Sequence, residues 1–329
     1  MNPIYYTAIL AAGMVAGTFA EETTVHENHS DVGRILENLN PEISVTIDGF
    51  YYNESSDGGL GELKEEMPGF GHAHEEEEHA HGQENGFNLR EIELYLAGEV
   101  DGYFRAAAIL AFSEEEAEVE VAEIETTSLP GGVTLKAGKF FSDFGIVNKQ
   151  HPHQWSFADQ PLIYELTLGD HGINEVGMQA AWQPEAPFYL RVGAEALQGD
   201  NEAMFAYEGD GALPEHNGPR LGIGWLKIGP DWGHANTLHF GGSLGSGIHQ
   251  EAHEEVADQF NYYDGNSTFA GLDAFYHHSA HGDGGQGDVT VQGEYFWRNK
   301  DLDLVSSDDP LAPIGEKLDS NQDGYYLQA

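Results

Sequence analysis

The sequence predicts an all-β protein, an antiparallel transmembrane β-barrel of porin type. Three observations carry this: strand-length runs of alternating polarity, connections that are short and long by turns, and no apolar stretch long enough for a membrane helix. Side chains on a strand point to opposite faces with period two, so each alternating run has one apolar and one polar face. A soluble sandwich alternates as well. The parity of the connections separates the two, because outer-membrane barrels keep tight turns on one side and long loops on the other.

Taken in order, the chain opens on an apolar stretch from Tyr5 to Phe19, followed by Ala20 and then Glu21-Glu22. With Thr18 and Ala20 as small residues near a cleavage point, residues 1–20 read as a signal peptide. A short segment, 21–42, precedes a barrel that occupies 43–329. Strands are expected near 43–52, 87–100, 103–112, 117–127, 133–140, 173–182, 188–198, 219–228, 237–245, 268–279 and 287–298, with another starting at Gly324. Ile92, Leu94 and Leu96 alternate with Glu91, Glu93 and Tyr95; Val176, Met178, Ala180 and Trp182 alternate with Glu175, Gly177 and Gln179. Most runs have the ~9–11 residues that a tilted strand needs to cross a bilayer.

Alternate connections are short and rich in Gly, Pro or Asp, as at Asp101-Gly102, Ser128–Gly132 and Gln183–Pro187. The others are expected to be long: 53–86, 141–172, 199–218, 246–267 and 299–323, with Ser113–Glu116 as the exception. Aromatic pairs such as Phe50-Tyr51, Phe140-Phe141 and Phe296-Trp297 fall at strand ends, where barrels carry their interfacial girdles. The last strand stops at Ala329 without closing a cylinder. A porin of about 16 strands is therefore expected, with its carboxy-terminal strands missing here.

Composition narrows the function classes. The chain has 13 Lys+Arg against 57 Asp+Glu, a formal charge of −44 and no cysteine. Such charge repels nucleic acid and favours cationic partners. Without cysteine there is neither a disulfide framework nor a thiolate metal site. The first long loop contains His72, His74, His79 and His81 flanking four glutamates, including Glu75 and Glu78. In an extended segment residues two apart share a face, so each His-x-His pair can offer two imidazoles to one ion, with a carboxylate completing a tetrahedron. Imidazole with carboxylate suits zinc, with nickel and copper as competitors. A solvated charged loop with incidental histidines is the alternative. His249 and His253, four apart in an acidic loop, resemble a helix-face metal pair without the Glu of a protease motif, with isolated surface histidines as the alternative for them and for the set that follows. His277, His278 and His281 lie at a strand end. Asp319-Ser320-Asn321-Gln322-Asp323-Gly324 reads as a polar turn.

Ala137-Gly138-Lys139-Phe140-Phe141-Ser142-Asp143-Phe144-Gly145 resembles the strand-to-loop signature of the phosphate-selective porin-like family. Gly86-Phe87-Asn88-Leu89-Arg90-Glu91, Gln150-His151-Pro152-His153-Gln154-Trp155 and Gly169-Asp170-His171-Gly172 are similar more closely to proteins named zinc-regulated outer-membrane receptors, which also carry a His-rich first loop. The resemblance implies that 141–172 folds into the pore and narrows it. Phosphate-selective porins attract anions with basic residues, whereas Glu91, Glu93, Glu175, Glu195, Asp273 and Glu294 make this lumen acidic, so cations are the expected cargo. Between Glu21 and Glu42 there is no room for the plug of an energy-coupled receptor.

The expectation is a bacterial outer-membrane channel, not an enzyme, that captures divalent cations on its outer loop and admits them to the periplasm. The expected metal ligands are His72, His74, His79, His81, Glu75 and Glu78. The pore-lining candidates are His151, His153, Asp159, His171, Glu93, Glu175, Glu195 and Glu294. No resident cofactor is expected; zinc or another divalent cation is the ligand. Expected partners are divalent cations, outer-membrane lipid and, as an open option, further copies in a homotrimer. A general diffusion porin and a soluble exported metal-binding protein are the alternatives.

Overall fold

The structure, a computed structural model, describes residues 42–53, 85–113, 116–169, 171–205, 211–256, 259–280 and 286–329. Residues 1–41, which hold the expected signal peptide and nearly all of the segment following it, and His72, His74, Glu75, Glu78, His79, His81 and His281 lie outside them. The described residues are all-β: twelve antiparallel strands, with helix confined to short pieces. They divide into two compact units.

The first unit contains β1 (Glu42–Tyr52), β2 (Gly86–Val100), β3 (Phe104–Phe112) and β4 (Ala117–Thr126), with the segment 151–159. Neighbours in sequence pair antiparallel, Ile43 opposite Leu96 and Leu94 opposite Leu110. The β2–β3 turn needs positive φ, and Asp101 (φ 60) and Gly102 (φ 74) supply it. Asp and Gly tolerate this left-handed backbone best.

The second unit contains β5 (Val133–Phe141), β6 (Asn174–Trp182), β7 (Tyr189–Leu197), β8 (Leu221–Gly229), β9 (Asn236–Val256), β10 (Gln259–His278), β11 (Val289–Ser307) and β12 (Lys317–Gln328), each paired with the next. Two short helices, α1 (Leu162–Leu168) and α2 (Glu202–Phe205), belong to it.

Among the described residues β1 pairs only with β2 and β12 only with β11, so both are edges and the expected closed barrel is not formed by these strands. Three further expectations are corrected. The loop expected at 246–267 is a hairpin, because β9 runs 21 residues and β10 20, leaving 257–258 between them. The loop expected at 299–323 shrinks likewise, since β11 reaches Ser307 and β12 begins at Lys317. The Asp/Asn-rich run 319–324 is ladder, not turn: Asn299 pairs with Asn321 and Arg298 with Gln322. In each case backbone pairing and cross-strand polar contacts extend the strand past the point where apolar alternation fades.

Burial of the two faces is inverted relative to a soluble sheet. In the first unit Ile43 and Ile47 are each 62% exposed, while Glu93 is 4% exposed. In the second, Val176, Met178, Trp182 and Leu244 are exposed, whereas Glu175, Gln179, Asp273 and Glu294 are buried. Leu272 is 65% exposed beside Asp273 at 7%. These apolar residues are exposed and these polar ones buried, although the buried side also carries apolar residues such as Phe269, Phe296 and Leu302.

Candidate functional site on the inward face

In the second unit the inward carboxylates hold the segment that follows β5. Phe144 packs edge-on against Phe269 (5.4 Å) and tilted against Phe296 (5.1 Å), and Tyr164 of α1 meets Phe296 at 4.9 Å. Beneath them Glu294 accepts hydrogen bonds from the Tyr164 hydroxyl (2.9 Å), the Tyr326 hydroxyl (2.6 Å) and the backbone N–H of Ile146 (2.9 Å) and Val147 (3.2 Å). Burial, with Glu294 alongside, pushes the Tyr164 hydroxyl's pKa well up, so it stays a neutral donor. Gly145 is required here. Its φ is +64, and a Cβ would lie 2.3 Å from both the Glu294 carboxylate and the Tyr164 hydroxyl. Its carbonyl accepts from Lys227 Nζ (2.7 Å), which also pairs with Asp273 at 2.9 Å.

Glu195 Oε1 accepts from the Asp143 N–H (2.9 Å), Gln179 Nε2 (2.9 Å) and Trp225 Nε1 (2.8 Å). Burial opposes ionisation of Asp143, but Lys149 and Arg191 outweigh it and hold its carboxyl below the usual range. Glu175 accepts from the backbone of Gly199 and Asn201. Three of the residues expected to line a pore thus each accept several hydrogen bonds from the polypeptide itself.

The first unit brings five other ionisable side chains together. Segment 151–159 is tied down by Arg90, which donates to Asp48 on β1 (3.0 Å) and to the Ala158 carbonyl (2.5 Å), and lies over the rings of Phe50 (4.9 Å) and Trp155 (5.5 Å). This anchoring presents His151 and His153 to the inward carboxylates of β2 and β4. His151 Nδ1 lies 3.3 Å from Glu93 Oε1 and 3.1 Å from Glu120 Oε2; His153 Nδ1 lies 3.1 Å from Glu93 Oε1. The imidazoles stack at 5.8 Å. Two triads with metal-ligand spacing result, Glu91–Glu93–His153 and Glu93–Glu120–His151, with Glu93 common to both. Burial opposes a charge on His151, but Glu120 and Glu93 outweigh it and raise its pKa to about 10.

Of the other expected site residues, Asp159 and His171 are exposed and join neither triad. Glu120 escaped the sequence reading, although its place in the alternation Glu118-Val119-Glu120 marks it as facing opposite to Val119. His249 and His253 lie on a strand, not a helix, and share Glu251 between them at 2.6 and 2.8 Å. His277 and His278 bond separately to Thr290 and Asn236, both at 2.9 Å.

No family model matches the chain, and no solved structure matches it. A protein of Aquifex aeolicus (strain VF5), described as an uncharacterized protein, is 37% identical over 297 residues. The match covers 88% of this chain and 60% of that protein.

Proposed function

We propose that the chain forms wall of an outer-membrane porin-like channel that gathers divalent cations, zinc foremost, and admits them to the periplasm. The observation that supports this reading is the inversion of the sheet faces. In water, rows such as Ile43, Val45, Ile47 and Val176, Met178, Trp182 would form exposed apolar patches of the kind monomeric proteins avoid. Lipid tails satisfy them, and outward apolar with inward polar is the arrangement of a membrane barrel. Closure of the sheet, which hydrocarbon demands, is part of the proposal.

The net charge of −44 and the inward Glu93, Glu120, Glu175, Glu195, Asp273 and Glu294 favour cations over anions. The outer loop bearing His72, His74, His79 and His81 would concentrate them at the entrance. The test is reconstitution of the full-length protein in a planar bilayer under a KCl gradient. The expected result is a cation-selective reversal potential and a conductance reduced by added ZnCl2. An anion-selective or non-selective pore, or recovery of the protein wholly in the soluble fraction, would contradict the proposal.

A further inference from the structure

We infer that Glu93, Glu120 and His151 form a binding site for one zinc-class divalent cation, with His153 completing the coordination. The site uses none of the histidines of the His-rich outer loop, and it deepens the channel reading, on which it rests only for its place on a cation's route.

The geometry points to a metal. Zinc binds oxygen and imidazole nitrogen at ~2.0–2.2 Å, so ligand atoms at the corners of a tetrahedron stand ~3.3 Å apart. The separations, 3.1 Å from His151 to Glu120, 3.3 Å from His151 to Glu93 and 3.1 Å from His153 to Glu93, are of that size, and the ligand atoms of Glu93, Glu120 and His151 all lie within 4.8 Å of one another. His153 groups with Glu91 and Glu93 and swings over to become the fourth ligand. The donor set, imidazole with carboxylate and no thiolate, selects zinc, nickel or copper over calcium or magnesium.

Charge and burial agree. Glu93, Glu120 and His151 are each at least nine-tenths buried, at 4%, 6% and 9% exposure. Glu91 stands beside them, and its Oε1 is shut from solvent with no hydrogen-bond partner among the described residues. With the rings neutral, as ligands must be, Glu93 and Glu120 supply the two negative charges that balance a divalent ion. His153 is the most exposed of the four ligands, its side chain at 25%, which gives the ion a way in and out. A site open on one side, with three fixed ligands and a fourth able to swing, suits exchange rather than permanent structural binding.

The rival account is a metal-free ion pair, His151 imidazolium bridging two carboxylates. Cobalt(II), whose visible absorption reports tetrahedral coordination, separates the two. The full-length protein in detergent micelles would carry His72→Ala, His74→Ala, His79→Ala and His81→Ala, to silence the outer loop. The expected result is one cobalt per chain with a tetrahedral band, displaced by zinc. Glu120→Gln and His151→Ala should each weaken binding beyond the ~10–100-fold that loss of an outer-shell partner costs. No band in the loop variant, or binding unchanged in both site variants, would overturn the inference.

Should either site variant fail to fold, 15N shifts of His151 and His153 in the loop variant decide. Movement of both Nδ1 signals on zinc addition supports the site, and still signals overturn it. A cobalt band in a protein whose bilayer conductance shows no cation preference would keep the site and remove the channel reading. Cation preference without a band would do the reverse.

Discussion

The two units each bury carboxylates and handle them in opposite ways. In the second unit Glu294 is met by two phenols and two backbone amides, all neutral donors fixed by the fold. In the first, Glu93 and Glu120 are met by the imidazoles of His151 and His153. Neutral donors satisfy a carboxylate's hydrogen-bonding capacity without accepting a replacement. Imidazoles carry an exchangeable proton and present lone pairs when they lose it. Similar raw material thus gives a clamp in one region and a cation site in the other.

The largest effects should come from breaking the clamp. Phe144→Ala removes a ring buried to 1% between Phe269 and Phe296 and should cost ~3–5 kcal/mol. Chemical unfolding of the second unit measures it, and a loss under ~1 kcal/mol would mean that the aromatic contacts do not hold the segment. Gly145→Ala places a methyl against Glu294 and Tyr164 at a left-handed φ, so it should destabilise by more than the ~0.4–1 kcal/mol that a Gly→Ala exchange gains at a compatible site. If the channel reading is right, both variants also raise single-channel conductance by releasing the segment.

Glu294→Gln is gentler, since the amide still accepts from Tyr164 and Ile146; a cost of ~1–3 kcal/mol is expected. Arg90→Met should cost ~1–2 kcal/mol through loss of the Asp48 and Ala158 contacts, without touching the clamp. Its sharper signature is weaker cobalt binding, because His151 and His153 lose their anchor.

A separate test is a pH dependence in chelator-treated protein. The folded-state pKa of His151 is raised to about 10 by Glu120 and Glu93 against the opposing effect of burial. Its stabilising contribution is therefore fully present below ~6.5, the unfolded imidazole value, and is lost as pH rises through about 10. A His151→Ala variant should lack this slope, and an identical slope in both proteins would assign it elsewhere. The Tyr164 hydroxyl and the amides of the clamp keep their protons through that window.

The strands were legible where one face is apolar and the other polar. Val176, Met178 and Trp182 against Glu175 and Gln179 marked β6 within a residue of its observed bounds. Legibility faded where both faces turn polar. Past Gly245 on β9 the run Ser246, His249, Gln250, Glu251 carries no alternation, yet pairing continues through Gly265 opposite His249 and Asp264 opposite Gln250. The twelfth strand was read seven residues late for the same reason, its Asp/Asn run mimicking a turn while pairing with β11.

Of the cation site, Glu93, His151 and His153 were visible as inward or loop residues. Their meeting was not, because it depends on the path that Arg90 and Trp155 impose on 151–159. Local periodicity holds no information about such a contact.

The central claim is that the apolar face meets lipid. A sequence without cysteine allows one spin label at a time, at Val176, Met178, Leu272 or Tyr295 on the outward face and at Gln179, Asp273 or Gln292 on the inward face. In vesicles, outward labels should collide often with dissolved oxygen and be shielded from a water-soluble nickel chelate, while labels at the buried inward positions meet oxygen rarely, so that oxygen contact alternates residue by residue. Outward labels that meet the chelate more readily than oxygen would contradict the membrane reading.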